Sequence, residues 1–389
     1  MLLYSVFNLA NSSIGAGVIR KLILLKILLF LVLFPSVLLA EEPIQIGALF
    51  SLSSWGAEGG QQELNGIRMA EDEINSNGGI AGKKIELIIE DNQSNLKQTA
   101  SAFQKLVHVD RVPVVLGPNW VEFLEIVAPL AERFKVPFIS ASGYSESSLK
   151  SGDFTFSLWA SPGHATSGLA KEISRQGVKK VAILLTVNSY YEGLYRALSK
   201  QLKELDVAVG EPMRFQEGEF DYRSTLGQLS RSKPDAVVAF LLEGGEIAAF
   251  LKQRAELDFK LPIYSANAIS FDSITQSNLS IAEGVVFFDY FVPGGEKFHR
   301  QYRERFNSEP GFGSAKAYDS LFLVKKAIEQ CGETPKEIRE CLSKVNYEGI
   351  SGKISFLPGG AIDLEGKEST YLLKVQNAKI VPLASSAQE

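Results

Sequence analysis

From Ile44 onward, short apolar runs rich in β-branched residues alternate with stretches whose apolar positions recur every three to four residues. The runs predict strands at Ile44–Phe50, Lys84–Asp91, Val112–Gly117, Val136–Ser140, Lys179–Thr186, Asp235–Leu242, Leu261–Ser265 and Gly284–Phe291, with a last one at Tyr371–Val375. The helical spacing predicts helices near Gln61–Asn77, Asn95–Val109, Glu122–Phe134, His164–Gln176, Tyr190–Leu205, Ser224–Ser232 and Gly245–Leu257. Several strands read as unbroken apolar runs (VVLG, VAILL, AVVAFLL) rather than alternating ones. Strands of that kind are covered by helices on both faces and run parallel. Repeated βα units imply an α/β fold with doubly wound sheets and right-handed crossovers. There are more units than one ordinary sheet holds, and 389 residues exceed the roughly 250–300 at which a single core stops growing. Two α/β lobes are therefore expected. The absence of a Pro/Ser-rich linker predicts short crossings between them.

The N-terminus is patterned differently. Leu22–Leu39 reads LILLKILLFLVLFPSVLL, with Arg20, Lys21 and Lys26 at its N-terminal side and Glu41-Glu42 after Ala40. A basic start, an apolar stretch and a small residue before polar sequence describe a secretory signal peptide over 1–40, cleaved near Ala40. Leu38 departs from the small residue preferred three positions before the cut. An uncleaved anchor is disfavoured because Lys26 and Pro35 interrupt the stretch, leaving less than the ~20 clean apolar residues a span needs. No later segment is long and apolar enough to cross a bilayer, so the mature chain is expected in the periplasm.

Charge then narrows the partners. The chain carries −5, and the three N-terminal bases face no acid in the first forty residues, so the body from Glu41 onward carries −8. An acidic body argues against a nucleic-acid partner, which requires a basic face. Three histidines (His108, His164, His299) and two cysteines leave little material for a metal site, and no metal or other cofactor is expected. No GxSxG elbow, HExxH or strand-following GxGxxG is present. Asn77–Lys83 has glycines but not the phosphate-loop spacing and reads as a helix cap and turn. Gly311-Phe312-Gly313, between two helices, reads likewise. An exported two-lobed α/β chain without a catalytic constellation is a binder rather than an enzyme. Its ligand is expected at the carboxyl ends of the strands, between lobes that close by a hinge.

Cys331 and Cys341 flank Gly332-Glu333-Thr334-Pro335, one at the end of a helix and the other inside the next. In an oxidising compartment they suit a disulfide that staples a helical hairpin. CxxC spacing is absent, which disfavours a redox role.

The sequence also resembles a known family. Ile46–Leu52, Trp55-Gly56, Leu64–Ala70, Glu73-Ile74-Asn75 and Gly78-Gly79-Ile80 are similar to the opening of type I periplasmic binding proteins, in the branch of the leucine/isoleucine/valine-binding proteins of ABC importers. The similarity continues in order through Glu90-Asp91-Asn92, Val115–Pro118, Val136–Ser140, Tyr191–Leu194, Pro234–Val237, Ala282–Val285, Tyr318-Asp319 and Gly352-Lys353-Ile354. The resemblance implies two Rossmann-like lobes joined by three crossings, one of 43–160 plus 287–352 and the other of 161–286 plus 353–389. It also implies a small-molecule ligand in the cleft, a membrane permease as partner, and a monomer. The implied function is the solute-binding component of an ABC importer. The alternative is a ligand-sensing module acting with a separate membrane receptor, although a chain ending at Glu389 leaves no room for a fused signalling domain.

The pocket departs from the family pattern. In amino-acid-binding members a serine and a threonine-bearing turn hold the ligand's carboxylate, and an acid in the second lobe meets its ammonium. Carried onto this chain, the serine position falls on Val121, the threonine on Tyr144 and the acid on Asn267; Ser142 keeps a small hydroxyl in the turn. An ammonium left without its buried partner is costly, at roughly 3–5 kcal/mol, and Asn267 offers a carbonyl but no charge. Ordinary branched-chain amino acids are therefore expected to bind poorly. Trp55, Trp120, Tyr144 and Tyr190 fall at or beside pocket positions and suit a flat apolar or aromatic solute, such as an aromatic or aliphatic carboxylate or a neutral amide. For Trp120 and Tyr190, core packing is an equal reading. Glu243 either contacts a polar ligand group or caps the helix that follows it, and Glu122 serves the first turn of its own helix.

Overall fold

Two separate sheets carry the alternating pattern. The computed structural model describes residues 42–242, 245–271, 277–290, 295–364 and 370–383. The expected signal peptide lies outside them. The first sheet uses β1 (Ile44–Phe50), β2 (Ile85–Asp91), β3 (Val115–Leu116), β4 (Phe138–Ser140) and β5 (Thr155–Ser157), in the order β2-β1-β3-β4-β5. All its neighbours are parallel. Successive side chains of one strand serve opposite cores, as the period of two requires. Ile46, Ala48 and Phe50 pack with Leu64 and Ile67, whereas Leu49 packs with Phe103, Leu106 and Val127.

The second sheet uses β6 (Lys180–Thr186), β7 (Ala208–Val209), β8 (Met213–Phe215), β9 (Ala236–Phe240), β10 (Ile263–Ser265) and β11 (Val286–Tyr290). Its order is β15-β14-β11-β10-β9-β6-β7, with β8 also alongside β6, where β14 is Thr370–Gln376 and β15 is Lys379–Pro382. The strands up to β11 pair in parallel, and β14 and β15 are antiparallel additions at one edge. Here too the strand interiors divide between two cores, with Val238 and Phe240 on one face and Val237 and Ala239 on the other. A two-stranded hairpin, β12 (Tyr347–Gly349) with β13 (Gly352–Ile354), stands apart.

Three expected strands start later than their apolar runs, for one reason. Pro113, Pro137 and Pro262 have no N–H to give to a ladder. Regular pairing therefore begins at Val115, Phe138 and Ile263. The prolines still accept, since Val115 N–H donates to the Pro137 carbonyl at 3.0 Å and Val237 N–H to that of Pro262 at 2.9 Å. The first helix, α1 (Ala57–Ser76), begins before the expected Gln61 and runs through Gly59-Gly60. The other α-helices described before the second crossing are α2 (Leu96–His108), α3 (Val121–Phe134), α4 (Glu146–Lys150), α5 (Pro162–Arg175), α6 (Ser189–Glu204), α7 (Arg223–Ser232), α8 (Glu246–Glu256) and α9 (Ala268–Phe271). Side-chain caps mark several starts. Asn95 accepts from Lys97 and Gln98 N–H, Ser161 precedes Pro162 at the first helical position, and Asn188 accepts from Tyr191 N–H at 2.8 Å.

After β11 the chain returns to the first core through α10 (Gly295–Phe306), α11 (Ser314–Cys331) and α12 (Pro335–Leu342). Phe298, Tyr302, Leu321, Val324 and Ile338 join Ile46 and Phe50 there, and α11 lies along α1. The chain thus passes between the sheets three times. The expected crossing at 286/287 would split β11, which lies whole in the second sheet, and Ile354, past the expected 352/353 crossing, packs in the first core. Cys331 and Cys341 form a disulfide with Cα atoms 6.1 Å apart, joining the end of α11 to α12. Thr334 and Glu337 form a reciprocal capping box at the start of α12.

Candidate functional site

In open α/β sheets the carboxyl ends of the parallel strands carry the ligand-facing loops. The segments just after β1, β3, β4 and β5 bring Trp55, Trp120, Ser142 and Trp159 to one edge of the first sheet. The ends of β10 and β11 and the start of α6 bring Asn267, Tyr290 and Tyr190 to the second. The turn before α11 adds Phe312.

These groups form one continuous run of rings. Trp55 lies 5.5 Å from Trp120, Trp120 meets Phe312 edge-on at 5.9 Å, and Phe312 meets Trp159 at 5.3 Å. Trp159 in turn sits 3.8 Å from Tyr290. The Tyr290 and Tyr190 hydroxyls are 2.8 Å apart, and Tyr190 donates to Oδ1 of Asn267 at 3.0 Å. Since Tyr190 has a single proton, Tyr290 donates to it. Aromatic edges and faces therefore run from the first sheet to the second, ending on a hydrogen-bonded Tyr–Tyr–Asn triad. Burial raises the Tyr290 phenol well above its ordinary value, so the triad stays neutral.

Strand β3 ends at a position only glycine fits. Gly117 has φ +92°, and a Cβ there would lie 2.1 Å from the Leu49 carbonyl oxygen. The chain then reaches Trp120, itself at φ +67°, immediately before α3. Trp120 gives that helix no side-chain cap, and its indole Nε1 is buried without a hydrogen-bond partner.

A second group lies behind the rings on the side of the first sheet. Glu63, on α1, is 1% exposed. Burial pushes its carboxyl up to about 8. The Ser142 hydroxyl, itself buried, faces this carboxyl and pulls the other way. Gly313, next to Phe312, packs directly on this carboxyl; a Cβ there would lie 2.4 Å from Glu63 Oε1. Lys316, one turn further along α11, is 7% exposed, donates to the Leu158 carbonyl at 2.8 Å and rests 5.1 Å from the centre of the Trp159 ring. Desolvation lowers its ammonium to about 8, with Asp319 opposing.

Over residues 43–379 the sequence matches a family model described as periplasmic binding protein. The chain belongs to the periplasmic binding proteins. A curated relative, the leucine-, isoleucine-, valine-, threonine- and alanine-binding protein of Pseudomonas aeruginosa, is 22% identical over 336 residues, covering 83% of this chain and 88% of that protein. Among solved structures, the branched-chain amino acid transporter substrate binding protein LivJ of Streptococcus pneumoniae, in complex with isoleucine, has a TM-score of 0.77 at 26% identity, covering 87% of this chain and 97% of LivJ. A solute binding protein of an ABC transporter from Rhodopseudomonas palustris, in complex with 3,4-dihydroxy benzoic acid, has a TM-score of 0.77 at 22% identity, covering 88% and 96%. The fold is therefore that of the two-lobed type I proteins. Members of the family are substrate-binding proteins for small molecules rather than enzymes.

In this periplasmic binding protein the residues singled out from sequence fall as follows. Trp55 is 56% exposed at the outer end of the ring run and also stacks near Phe123 at 5.9 Å. Val121 is buried as the first residue of α3 and presents no polar group. Tyr144 reaches from the turn after β4 to pack against the core of the second sheet, as do Tyr190 and Phe312. Asn267 is 7% exposed and already accepts from Tyr190. Glu243 lies outside the described residues. Burial raises the Glu122 carboxyl, with Glu125 and Glu217 adding to the rise. The sequence reading missed Trp159, Tyr290, Phe312, Glu63 and Lys316. Trp159 and Tyr290 follow short strands and could have been found as strand-end aromatics, and Phe312 between two glycines was read only as a turn. Glu63 carried no signal, because a Glu in a helix reads as a solvated position.

Proposed function

We propose that this protein is the extracytoplasmic solute-binding component of an ABC importer of the branched-chain amino-acid/amide type. In this reading a leader over 1–40 directs it to the periplasm, where a monomer captures its solute as the lobes close and hands it to a permease in the inner membrane. In this reading the lobes are 43–160 with 295–362, and 161–290 with 370–383. Membership of the family supports the general role. The match to curated amino-acid-binding relatives and to an ABC solute binding protein holding an aromatic acid supports the breadth of ligands the fold takes.

The ligand itself is not a standard branched-chain amino acid. One observation carries this: the residue at the position of the ammonium-binding acid is Asn267, whose carbonyl oxygen is already engaged by Tyr190. An incoming ammonium would find no charge there, only an amide oxygen already shared with the Tyr190 hydroxyl. The ring run instead favours a flat, largely apolar solute stacked between aromatic faces. A thermal-shift screen over amino acids, aromatic acids, amides and short fatty acids tests the reading. A solute at a hundred times its Kd adds about 2.7 kcal/mol to the folded state. Amino acids that stabilise the protein while aromatic solutes leave it unchanged would refute it.

A further inference from the structure

Helix α6 carries a feature that the ring run does not use. An open cavity of about 510 Å³ is lined by Tyr195, Arg196, Ser199, Lys200, Lys203 and Glu204, all on that helix. The volume falls within the roughly 300–1,000 Å³ of small-molecule sites. Arg196, Ser199, Lys200 and Lys203 are spaced i, i+3, i+4 and i+7, which puts them on one stripe of the helix. Tyr190, a member of the ring run, sits at the start of the same helix, about 13 Å from Ser199 along the axis. The cavity is therefore separate from the solute cleft.

Two observations set it apart from an ordinary solvated face. The first is Ser199, which is 9% exposed and whose buried hydroxyl has no hydrogen-bond partner among the described residues. Other helical serines of this chain return theirs to a carbonyl of the preceding turn, as Ser101 does to Lys97 at 3.1 Å and Ser230 to Leu226 at 3.0 Å. Ser199 is thus a donor on the cavity wall with nothing to meet. The second is charge. Arg196, Lys200 and Lys203 are exposed, and among the described residues none of them forms an ion pair. Cations nearby are engaged, Arg214 by Glu192 at 2.6 Å and Arg175 by Glu172 at 2.8 Å. Glu146 on α4 and Glu192 act on Arg196 from beyond pairing distance. Lys200 and Glu204 are spaced i, i+4 in the less favourable order and do not pair. The helix dipole accounts for Lys203 in the last turn but not for Arg196 two turns from the end, because its effect fades within one turn. Three bases and one acid leave a surplus of two positive charges here, on a body that carries −8.

We propose that this face of α6 is a second binding site, which takes a phosphoryl group. The Arg196 guanidinium offers a planar fork for two phosphate oxygens, the Ser199 hydroxyl donates to a third, and the Lys200 and Lys203 ammoniums balance the second negative charge. A carboxylate has two oxygens and one charge, so it would leave Ser199 or a lysine unanswered. Free phosphate and the headgroup of an anionic phospholipid share this chemistry, and the test separates them.

The test uses the full chain in buffer of low ionic strength. Inorganic phosphate is titrated by calorimetry, and vesicles of phosphatidylglycerol are compared with vesicles of phosphatidylcholine by co-sedimentation. Three variants are read beside the parent: Ser199→Ala, the triple Arg196→Gln/Lys200→Gln/Lys203→Gln, and a control triple Lys171→Gln/Lys252→Gln/Lys297→Gln that removes equal charge from exposed positions elsewhere. Melting temperatures confirm that each is folded. Phosphate, or phosphatidylglycerol vesicles, should bind the parent and lose tenfold or more in the α6 triple. Ser199→Ala should lose threefold or more with no change in charge, and the control triple should stay within twofold. Raising salt from about 20 to about 200 mM should weaken binding severalfold. Phosphate binding without a preference for phosphatidylglycerol assigns the site to the free anion, whereas vesicle binding that the α6 triple abolishes assigns it to the headgroup. Binding of neither, an equal loss in the control triple, or an unchanged Ser199→Ala overturns the proposal. None of these outcomes touches the solute-binding reading, which concerns the cleft.

Discussion

The hydroxyl of Tyr190 donates to Oδ1 of Asn267 across 3.0 Å, joining the start of helix α6 to the end of strand β10. That contact satisfies an amide where a charge-binding site would need an open carboxylate. Leucine, isoleucine and valine should therefore show Kd values no tighter than about 100 μM by calorimetry, and Asn267→Asp should gain about tenfold or more for leucine, at ~1.4 kcal/mol per decade. Micromolar binding of leucine to the parent protein would refute this.

All three tryptophans of the chain, Trp55, Trp120 and Trp159, belong to the ring run. Intrinsic fluorescence therefore reports on this site alone. A bound aromatic solute should change the emission, and lobe closure should shift it to the blue as Trp55, now 56% exposed, loses water. Trp55→Phe should remove most of that shift. Saturating ligand with an unchanged spectrum would count against the site.

Stability should depend on pH through Glu63. Its carboxyl keeps its proton up to about pH 8 in the folded state, against 4.5 for an ordinary glutamate. Between those values the folded protein binds more protons than the unfolded chain, so stability falls as pH rises through the window. Glu63→Gln lacks this term. Its Tm should match the parent's near pH 5 and exceed it by a few degrees at pH 8.5. Parallel Tm curves for the two proteins would show that Glu63 is not a buried neutral acid.

Asp319 on α11 fastens the β12–β13 hairpin. It accepts from Ile350 N–H at 3.0 Å, from Ser351 N–H at 2.8 Å and from the Ser351 hydroxyl. Asp319→Ala leaves these donors without their acceptor and should cost roughly 2–4 kcal/mol, measured by denaturant unfolding. A loss below about 0.5 kcal/mol would mean that the hairpin finds other partners or water at no cost.

The Cys331–Cys341 bridge should matter for stability and not for binding. Its loop is short, so removing it costs at most about 2–3 kcal/mol. It lies at the far end of α11, whose 18 residues put it about 27 Å from the Phe312 turn. The double serine variant should melt lower while its ligand affinity stays within about twofold. A large affinity change would instead tie the bridge to the cleft.

Much of the fold could be read from apolar spacing, because parallel strands buried on both faces and amphipathic helices each impose a period. β1 has the expected bounds, while strands that begin beside Pro113, Pro137 and Pro262 lose the residues whose N–H the ladder needs. The two-residue strand Ala208–Val209 has too few positions to show any period. At the site, Trp55, Trp120, Tyr190 and Asn267 could be nominated as residues near strand ends. Their order in one ring-to-ring run could not, since Trp120 and Phe312 are far apart in sequence and meet only because α11 folds back onto α1.

The sequence by itself determined the class of the molecule: alternating βα units, an acidic body with a leader-like start, and no catalytic motif. Those are properties of composition, period and residue identity, and each survives in an extended chain. Only the tertiary structure decided what the cleft offers. The engagement of Asn267 by Tyr190, the run of rings from Trp55 to Tyr290, and the buried carboxyl of Glu63 beside Ser142 depend on distances between distant segments. Burial, which turns an ordinary helical glutamate into a neutral hydrogen-bonding group, exists only once those segments have excluded water.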